Sequence, residues 1–158
     1  MKTRLFLAVL ATVTLVTPVA AETLRGVVVG VSDGDTITLL TQDNRSVRIR
    51  LAEIDAPELH GQPFGRAAKS ALSDLAYRRQ ATARVVTFDQ YGRAVALVDI
   101  AGVNVNAAMV QQGLAWAYVR YQTDRRYSAM EAAARAHSLG LWQDRSPIPP
   151  WNFRRTGR

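Results

Sequence analysis

Three short segments concentrate charged side chains in patterns that can do chemistry: Asp33-Gly34-Asp35-Thr36, the run from Arg50 through Asp55-Ala56-Pro57-Glu58, and Asp89-Gln90-Tyr91-Gly92-Arg93. Singly, each has an ordinary explanation. Asp-Gly-Asp suits a hairpin turn in which Gly34 supplies backbone freedom, and Arg93 reads equally as a solvated arginine at the start of a strand. Together they make a donor set. Asp35 and Asp55 are hard oxygen ligands, and the chain has no cysteine and two histidines. Calcium is therefore the natural occupant, rather than a thiolate- or imidazole-bound metal. Pro57 holds Ala56 extended and sets a stiff bend between Asp55 and Glu58, so the two carboxylates can take different jobs. Arg50 and Arg93 add guanidinium groups that bind phosphate oxygens through paired donors and keep their charge.

Charges like these need loops at strand ends to bring them to one pocket. Leu24 to Val31, Asp35 to Leu40 and Ser46 to Leu51 read as three strands, the last alternating Val47, Ile49 and Leu51 with Arg48 and Arg50. Ser32-Asp33-Gly34 and Gln42-Asp43-Asn44 supply the turns between them. Ala67, Ala68, Ala71, Leu72, Leu75 and Ala76 recur at helical spacing after Phe64, with Pro63 expected in the first turn. Thr82 to Phe88 and Arg93 to Ile100 read as two further strands. Two helices follow, Asn104 to Gln112 ending at Gly113 and Asp124 to Leu139 ending at Gly140, with Asn104 and Asp124 as N-caps. The expected fold is α+β: a five-stranded meander closed into an OB-like β-barrel, with three α-helices.

The 158 residues suit one domain after removal of an export signal. Lys2 and Arg4 precede an apolar run from Leu5 to Val16, and Pro18-Val19-Ala20-Ala21 offers small residues for cleavage. That run is shorter than the roughly 20 residues of a spanning helix. The expected division is a signal peptide over 1–21, a catalytic domain over 22–145 and a basic tail over 146–158, with a periplasmic or secreted destination. No stable membrane association is expected after cleavage, and the domain is expected to be a monomer. Setting aside Lys2 and Arg4 leaves 18 of the 20 basic residues against 13 acidic ones, a balance suited to a polyanionic partner.

In order and approximate spacing, these three charged segments resemble the staphylococcal (thermonuclease-type) nuclease family. Val105-Asn106-Ala107-Ala108-Met109-Val110-Gln111-Gln112-Gly113-Leu114-Ala115 is also similar to the helix after the family's fifth strand, and the likeness runs from about Leu24 to Trp142. The resemblance implies that Asp35 and Asp55 are calcium carboxylates and that Ala56 adds its backbone carbonyl. It implies Glu58 as general base and Arg50 and Arg93 as the phosphate-binding arginines. It further implies hydrolysis between phosphorus and the 5′ oxygen, leaving 3′-phosphates on both DNA and RNA. The chain departs from the family prototype at Ala56, where that protein has threonine, at Gln90, which replaces a lysine, and in shorter loops after Glu58 and before Tyr91.

Trp116, Tyr118 and Tyr121 cluster beside Arg120, a composition suited to stacking on unpaired bases. Tyr118 matches a substrate-contacting tyrosine of the family, and Tyr91, Tyr118 and Tyr121 form the candidate substrate-binding group. Trp116 reads as core packing, His60 as a solvated loop residue and His137 as helix surface. Trp151-Asn152-Phe153-Arg154-Arg155 reads as a packed or frayed terminus, with a nucleic-acid contact as its functional alternative. Two rival readings are a non-catalytic OB-type nucleic-acid-binding module and a calcium-stabilised structural domain. The first gives no reason to set carboxylates beside a polyanion that they repel. The second leaves Arg50 and Arg93 without a purpose.

Overall fold

The computed structural model describes residues 22–156, so the expected export signal lies outside the described residues. Strands β1 (Thr23–Val31), β2 (Thr36–Thr41) and β3 (Ser46–Leu51) form the expected antiparallel meander. A two-residue strand β4 (Ile54–Asp55) and helix α1 (Gly65–Ala76) then intervene before β5 (Gln80–Phe88) and β6 (Ala94–Ile100). The meander does not continue through these two: β5 returns to pair with β1, and β6 pairs antiparallel with β5. A parallel pairing of β3 with β6 closes the five long strands into a barrel. Register shifts between Val28 and Gly30 and between Val85 and Thr87 supply local bends that help so small a barrel curve shut.

Period-two burial gives the barrel its interior. Ala94, Ala96, Val98 and Ile100 of β6 face inward and meet Val28, Ile37, Leu39, Ile49 and Leu51. Helix α1 buries Ala68, Leu72 and Ala76 completely, the stripe its spacing predicts. Shrinking Leu72 to alanine would cost about 2–5 kcal/mol through lost burial and the cavity left behind. The helix begins at Gly65, after Phe64 in a left-handed conformation (φ 65°), so Pro63 belongs to the preceding turn instead of the first helical turn.

Strand β7 (Val103–Asn104) leads into α2 (Val105–Gln111), where the Asn104 side chain accepts from the Ala107 N–H at 2.8 Å, as an N-cap should. Strand β8 (Trp116–Ala117) pairs with β4, and α3 spans Arg126–Ala136. Helix α3 is shorter than expected at both ends. Asp124 accepts from the Arg126 N–H at 2.9 Å just ahead of the helix, and Ser138 (φ 52°) turns the chain well before Gly140. A fourth helix, α4 (Pro150–Thr156), exceeds the three expected and lies within the segment read as a basic tail. Among the described residues, no helix is long and apolar enough to cross a membrane.

Candidate functional site

One end of the barrel opens into a cleft of about 800 Å³ whose walls include Asp35, Arg50, Asp55, Ala56, Glu58, Arg93, Tyr91, Tyr118, Tyr121 and Arg154. All nine site residues singled out from the sequence therefore line one cavity. The β1–β2 turn delivers Asp35, and the Asp35 N–H donates to Asp33 Oδ1 at 3.1 Å, the local bond typical of an aspartate turn. Gly34 serves this turn differently from expectation. Its φ is not in the left-handed region, but a Cβ there would lie 2.6 Å from Ala68 Cβ and 2.7 Å from Ala56 Cβ. Close packing between α1 and the Asp55 segment, and not backbone freedom, is what requires glycine.

Strand β3 carries Arg50 on the face opposite Ile49, pointing its guanidinium at both aspartates. Arg50 Nη2 donates to Asp55 Oδ1 at 2.8 Å, and Nη1 lies 2.7 Å from Asp35 Oδ2. The second contact is an ion pair without hydrogen-bond alignment, which leaves Nη1 a buried donor with no aligned acceptor. Burial works against the Arg50 charge, yet Asp35 and Asp55 outweigh it and hold the guanidinium above its ordinary pKa. Asp35 Oδ2 also accepts from the Ala56 N–H at 2.8 Å, so Ala56 is fixed beside the aspartate pair.

Asp55 is held by the β4–β8 pairing and is 1% exposed. Burial pushes its carboxyl above the usual range, against the pull of Arg154 and Arg50. Burial and the neighbouring Asp35 likewise raise Asp33. Glu58 follows on a half-buried loop, where its N–H donates to Gln62 Oε1 at 2.8 Å. Gly65 lets α1 start against this loop, since a Cβ there would sit 1.9 Å from the Glu58 carbonyl oxygen.

Arg93 enters the cleft from the β5–β6 hairpin and is braced by Asp89, whose Oδ1 accepts from the Arg93 N–H at 3.0 Å and Oδ2 from Nε at 2.7 Å. Burial tends to raise Asp89, but hydrogen bonds from Arg93 and the Tyr91 N–H prevail and hold it below its ordinary value. Tyr91 is 73% exposed at the hairpin tip, with the Arg93 guanidinium 5.5 Å from its ring centroid. Elsewhere in the cleft lining, Tyr118 and Tyr121 meet edge to face at 4.9 Å. Trp116 is buried between Trp142 and Trp151, in agreement with core packing. His60 lines a separate hollow of about 520 Å³ and is apart from the acidic group.

The donor chemistry fits a hard cation. Two buried carboxylates are held side by side by a shared arginine, and a second guanidinium, that of Arg154, spans Asp55 and Glu58 as a stand-in positive charge. Among the described residues, no cluster of three His, Cys, Asp or Glu side chains is gathered as a ready-made cage. A cation here would need backbone carbonyl and water oxygens as well, which calcium accepts readily.

Sequence reasoning missed two contributors and the role of a third, Arg154, which it reads as part of a packed or frayed terminus or a nucleic-acid contact. Arg154 lies 99 residues from Asp55 in the chain and donates to it from both terminal nitrogens. Its signal was Pro150 followed by Trp151 and Arg154 at a three-residue spacing, a short helix with an aromatic and a base on one face. Glu53 and Asn106 act behind the site. Glu53 accepts from the Thr123 hydroxyl and the Asp124 N–H, and Asn106 bonds Ala52, Ala96 and Val98. Nothing in their local sequence marks either one.

Comparison with known proteins identifies the family. Residues 48–144 match the family described as staphylococcal nuclease homologue. An uncharacterized endonuclease of Haemophilus influenzae is 46% identical over 128 residues, covering 81% of this chain and 71% of its own. A micrococcal nuclease of Shigella flexneri is 40% identical over 163 residues, covering 96% and 92%. The staphylococcal-like nuclease CAN1 of Arabidopsis thaliana is 35% identical over 114 residues, covering 72% of this chain and 35% of its own. A closed barrel, two aspartates joined by an arginine at its mouth and matches of this extent leave one assignment: the chain belongs to the staphylococcal nuclease family.

Proposed function

We propose that this protein is an exported, calcium-dependent nuclease that hydrolyses phosphodiester bonds of DNA and RNA, prefers single strands and leaves 3′-phosphates. The observation that carries this reading is the gathering of Asp35, Asp55, Arg50, Glu58 and Arg93 around one cleft with an aromatic wall. Family membership and the names borne by its relatives support the reaction class. The amino-terminal charge and apolar pattern support export to the periplasm or beyond.

The carboxylates of Asp35 and Asp55 and the carbonyl of Ala56 would hold the calcium. When bound, it supplies charge neutralisation at the phosphate. Arg50, already turned toward both aspartates, would bind a phosphate oxygen through its guanidinium donors. With Arg93, it stabilises the extra charge that develops on five-coordinate phosphorus. Glu58 orients the attacking water and accepts its proton. Neither arginine serves as a strong acid, since a guanidinium pKa exceeds about 12, so water protonates the leaving oxygen. Tyr118 and Tyr121 offer ring faces to unpaired bases, which favours single strands.

The decisive assay is digestion of denatured DNA by the purified mature protein with calcium, with chelator and with Glu58→Ser. Calcium-dependent cleavage that collapses in Glu58→Ser supports the nuclease. Binding of DNA without cleavage would favour a non-catalytic OB-type binding module.

A further inference from the structure

Helix α4 brings two side chains to the two places that a cation and a nucleobase would use. Arg154 Nη2 donates to Asp55 Oδ2 at 2.8 Å, while Nη1 donates to Asp55 Oδ1 at 3.3 Å and to Glu58 Oε1 at 2.6 Å. Three residues earlier, Trp151 lies parallel to Tyr118, with ring centroids 5.2 Å apart and planes 5° apart. The i, i+3 spacing sets both on one helix face. The chain thus offers a positive charge to the acidic residues and a flat ring to the tyrosine, as a bound strand with its cation would.

We propose that α4 is an autoinhibitory latch: Arg154 holds Asp55 and Glu58, and Trp151 covers Tyr118, until a divalent cation and a nucleic-acid strand displace the helix. This rests on the calcium-dependent reading of the cleft.

Competition follows from charge. A divalent cation and a guanidinium repel one another and seek the same Asp55 oxygens, so occupancy by one disfavours the other. Linkage makes the effect reciprocal: α4 weakens cation binding by the factor by which the cation weakens α4 docking. Glu58, with Oε1 bound to Arg154, is meanwhile withdrawn from activating water. The latch is built to release. Helix α4 has seven residues, too few to persist as a helix without its packing. The Arg154 side chain is 44% exposed, so water and salt screen its ion pairs. The root of the helix stays anchored, because Gln62 Nε2 donates to the Ile148 carbonyl at 2.8 Å while Gln62 Oε1 holds the Glu58 loop.

The test uses the full mature chain as wild type, Arg154→Ala and Arg155→Ala, the last a control because Arg155 bonds only Asn152 among the described residues. Calcium affinity is measured by titration calorimetry without nucleic acid, and hydrogen exchange of the α4 amides is followed with and without calcium. If the latch is closed in nine molecules of ten, Arg154→Ala binds calcium about tenfold tighter than wild type, and Arg155→Ala matches wild type. Calcium also speeds exchange of the Phe153 to Thr156 amides in wild type, a readout that needs no variant. Equal or weaker calcium binding by Arg154→Ala, or α4 amides equally protected with calcium, overturns the latch. Cleavage of denatured DNA by wild type at saturating calcium separates the two ideas. Wild type that cleaves while Arg154→Ala binds no tighter removes the latch alone. Wild type that neither binds calcium nor cleaves removes the nuclease reading and the latch with it.

Discussion

The Tyr118 backbone N–H donates to the carbonyl of Glu53 at 2.8 Å, which joins the aromatic wall of the cleft directly to the acidic segment. Glu53 has a positive φ of 65° and is 8% exposed. Its carboxylate caps the Thr123–Asp124 turn below Tyr121. One residue therefore sets the spacing between the candidate metal carboxylates and the candidate base-stacking rings. Glu53→Ala leaves the Asp124 N–H unpaired and is expected to cost about 1–3 kcal/mol, read from the urea midpoint. It also raises KM for single-stranded DNA more than it lowers kcat, because the rings move relative to the acidic residues.

Asn106 is fully buried, and its side chain donates to the Ala52 and Ala96 carbonyls at 2.9 and 3.1 Å and accepts from the Val98 N–H at 3.0 Å. These bonds pin the end of β3 to β6 immediately behind the cleft. Asn106→Ala strands the Val98 N–H and the Ala52 carbonyl away from water, while the Ala96 carbonyl keeps the Ala52 N–H at 2.8 Å. An expected loss of about 1–3 kcal/mol per unsatisfied group makes it far more disruptive than a surface substitution. Chemical denaturation measures it.

Glu58 contributes no core contact, so its loss separates chemistry from folding. Glu58→Gln keeps the shape and removes the carboxylate proposed to accept the water's proton. Turnover of denatured DNA is expected to fall about 10²–10⁴-fold, with a melting temperature close to that of wild type. Retention of wild-type turnover would remove Glu58 from the mechanism.

Asp89 supplies a pH signature. Its folded pKa lies below the ordinary 3.8 because Arg93 and the Tyr91 N–H favour the carboxylate over the opposing effect of burial. A group depressed on folding stabilises the protein above its unfolded pKa and loses that contribution as pH falls through the folded value. The stability gap between wild type and Asp89→Asn is therefore expected to be full at pH 7 and to close below 3.8 as pH falls through the folded pKa. Denaturation midpoints of both proteins across that range check it.

Calcium should act on stability as well as on cleavage. A ligand that binds only the folded state adds about 2.7 kcal/mol at a hundred times its Kd. Thermal melts with calcium are expected to run several degrees above those with chelator, and Asp55→Asn is expected to erase the difference.

The sequence by itself determined the barrel strands, the stripe of α1, the Asn104 cap and the charged set of the cleft. Each of these follows from local rules: alternation along β6, 3.6-residue spacing at Ala68, Leu72 and Ala76, and turn chemistry at Asp33 and Gly92. It also determined that Asp35, Arg50, Asp55, Glu58 and Arg93 belong together, because their order and spacing carry the family pattern. Local rules do not reach across the chain. The return of β5 to β1, the parallel closure of β3 on β6 and the reason for glycine at position 34 depend on which surfaces meet, and only packing decides that. The same holds for α4. Its composition shows a short basic and aromatic helix, but the contact of Arg154 with Asp55 spans 99 residues and exists only because the barrel and α3 bring the chain's end back to the cleft. Periodicity reports which face of an element is apolar, while the partner that covers that face is a property of the folded molecule.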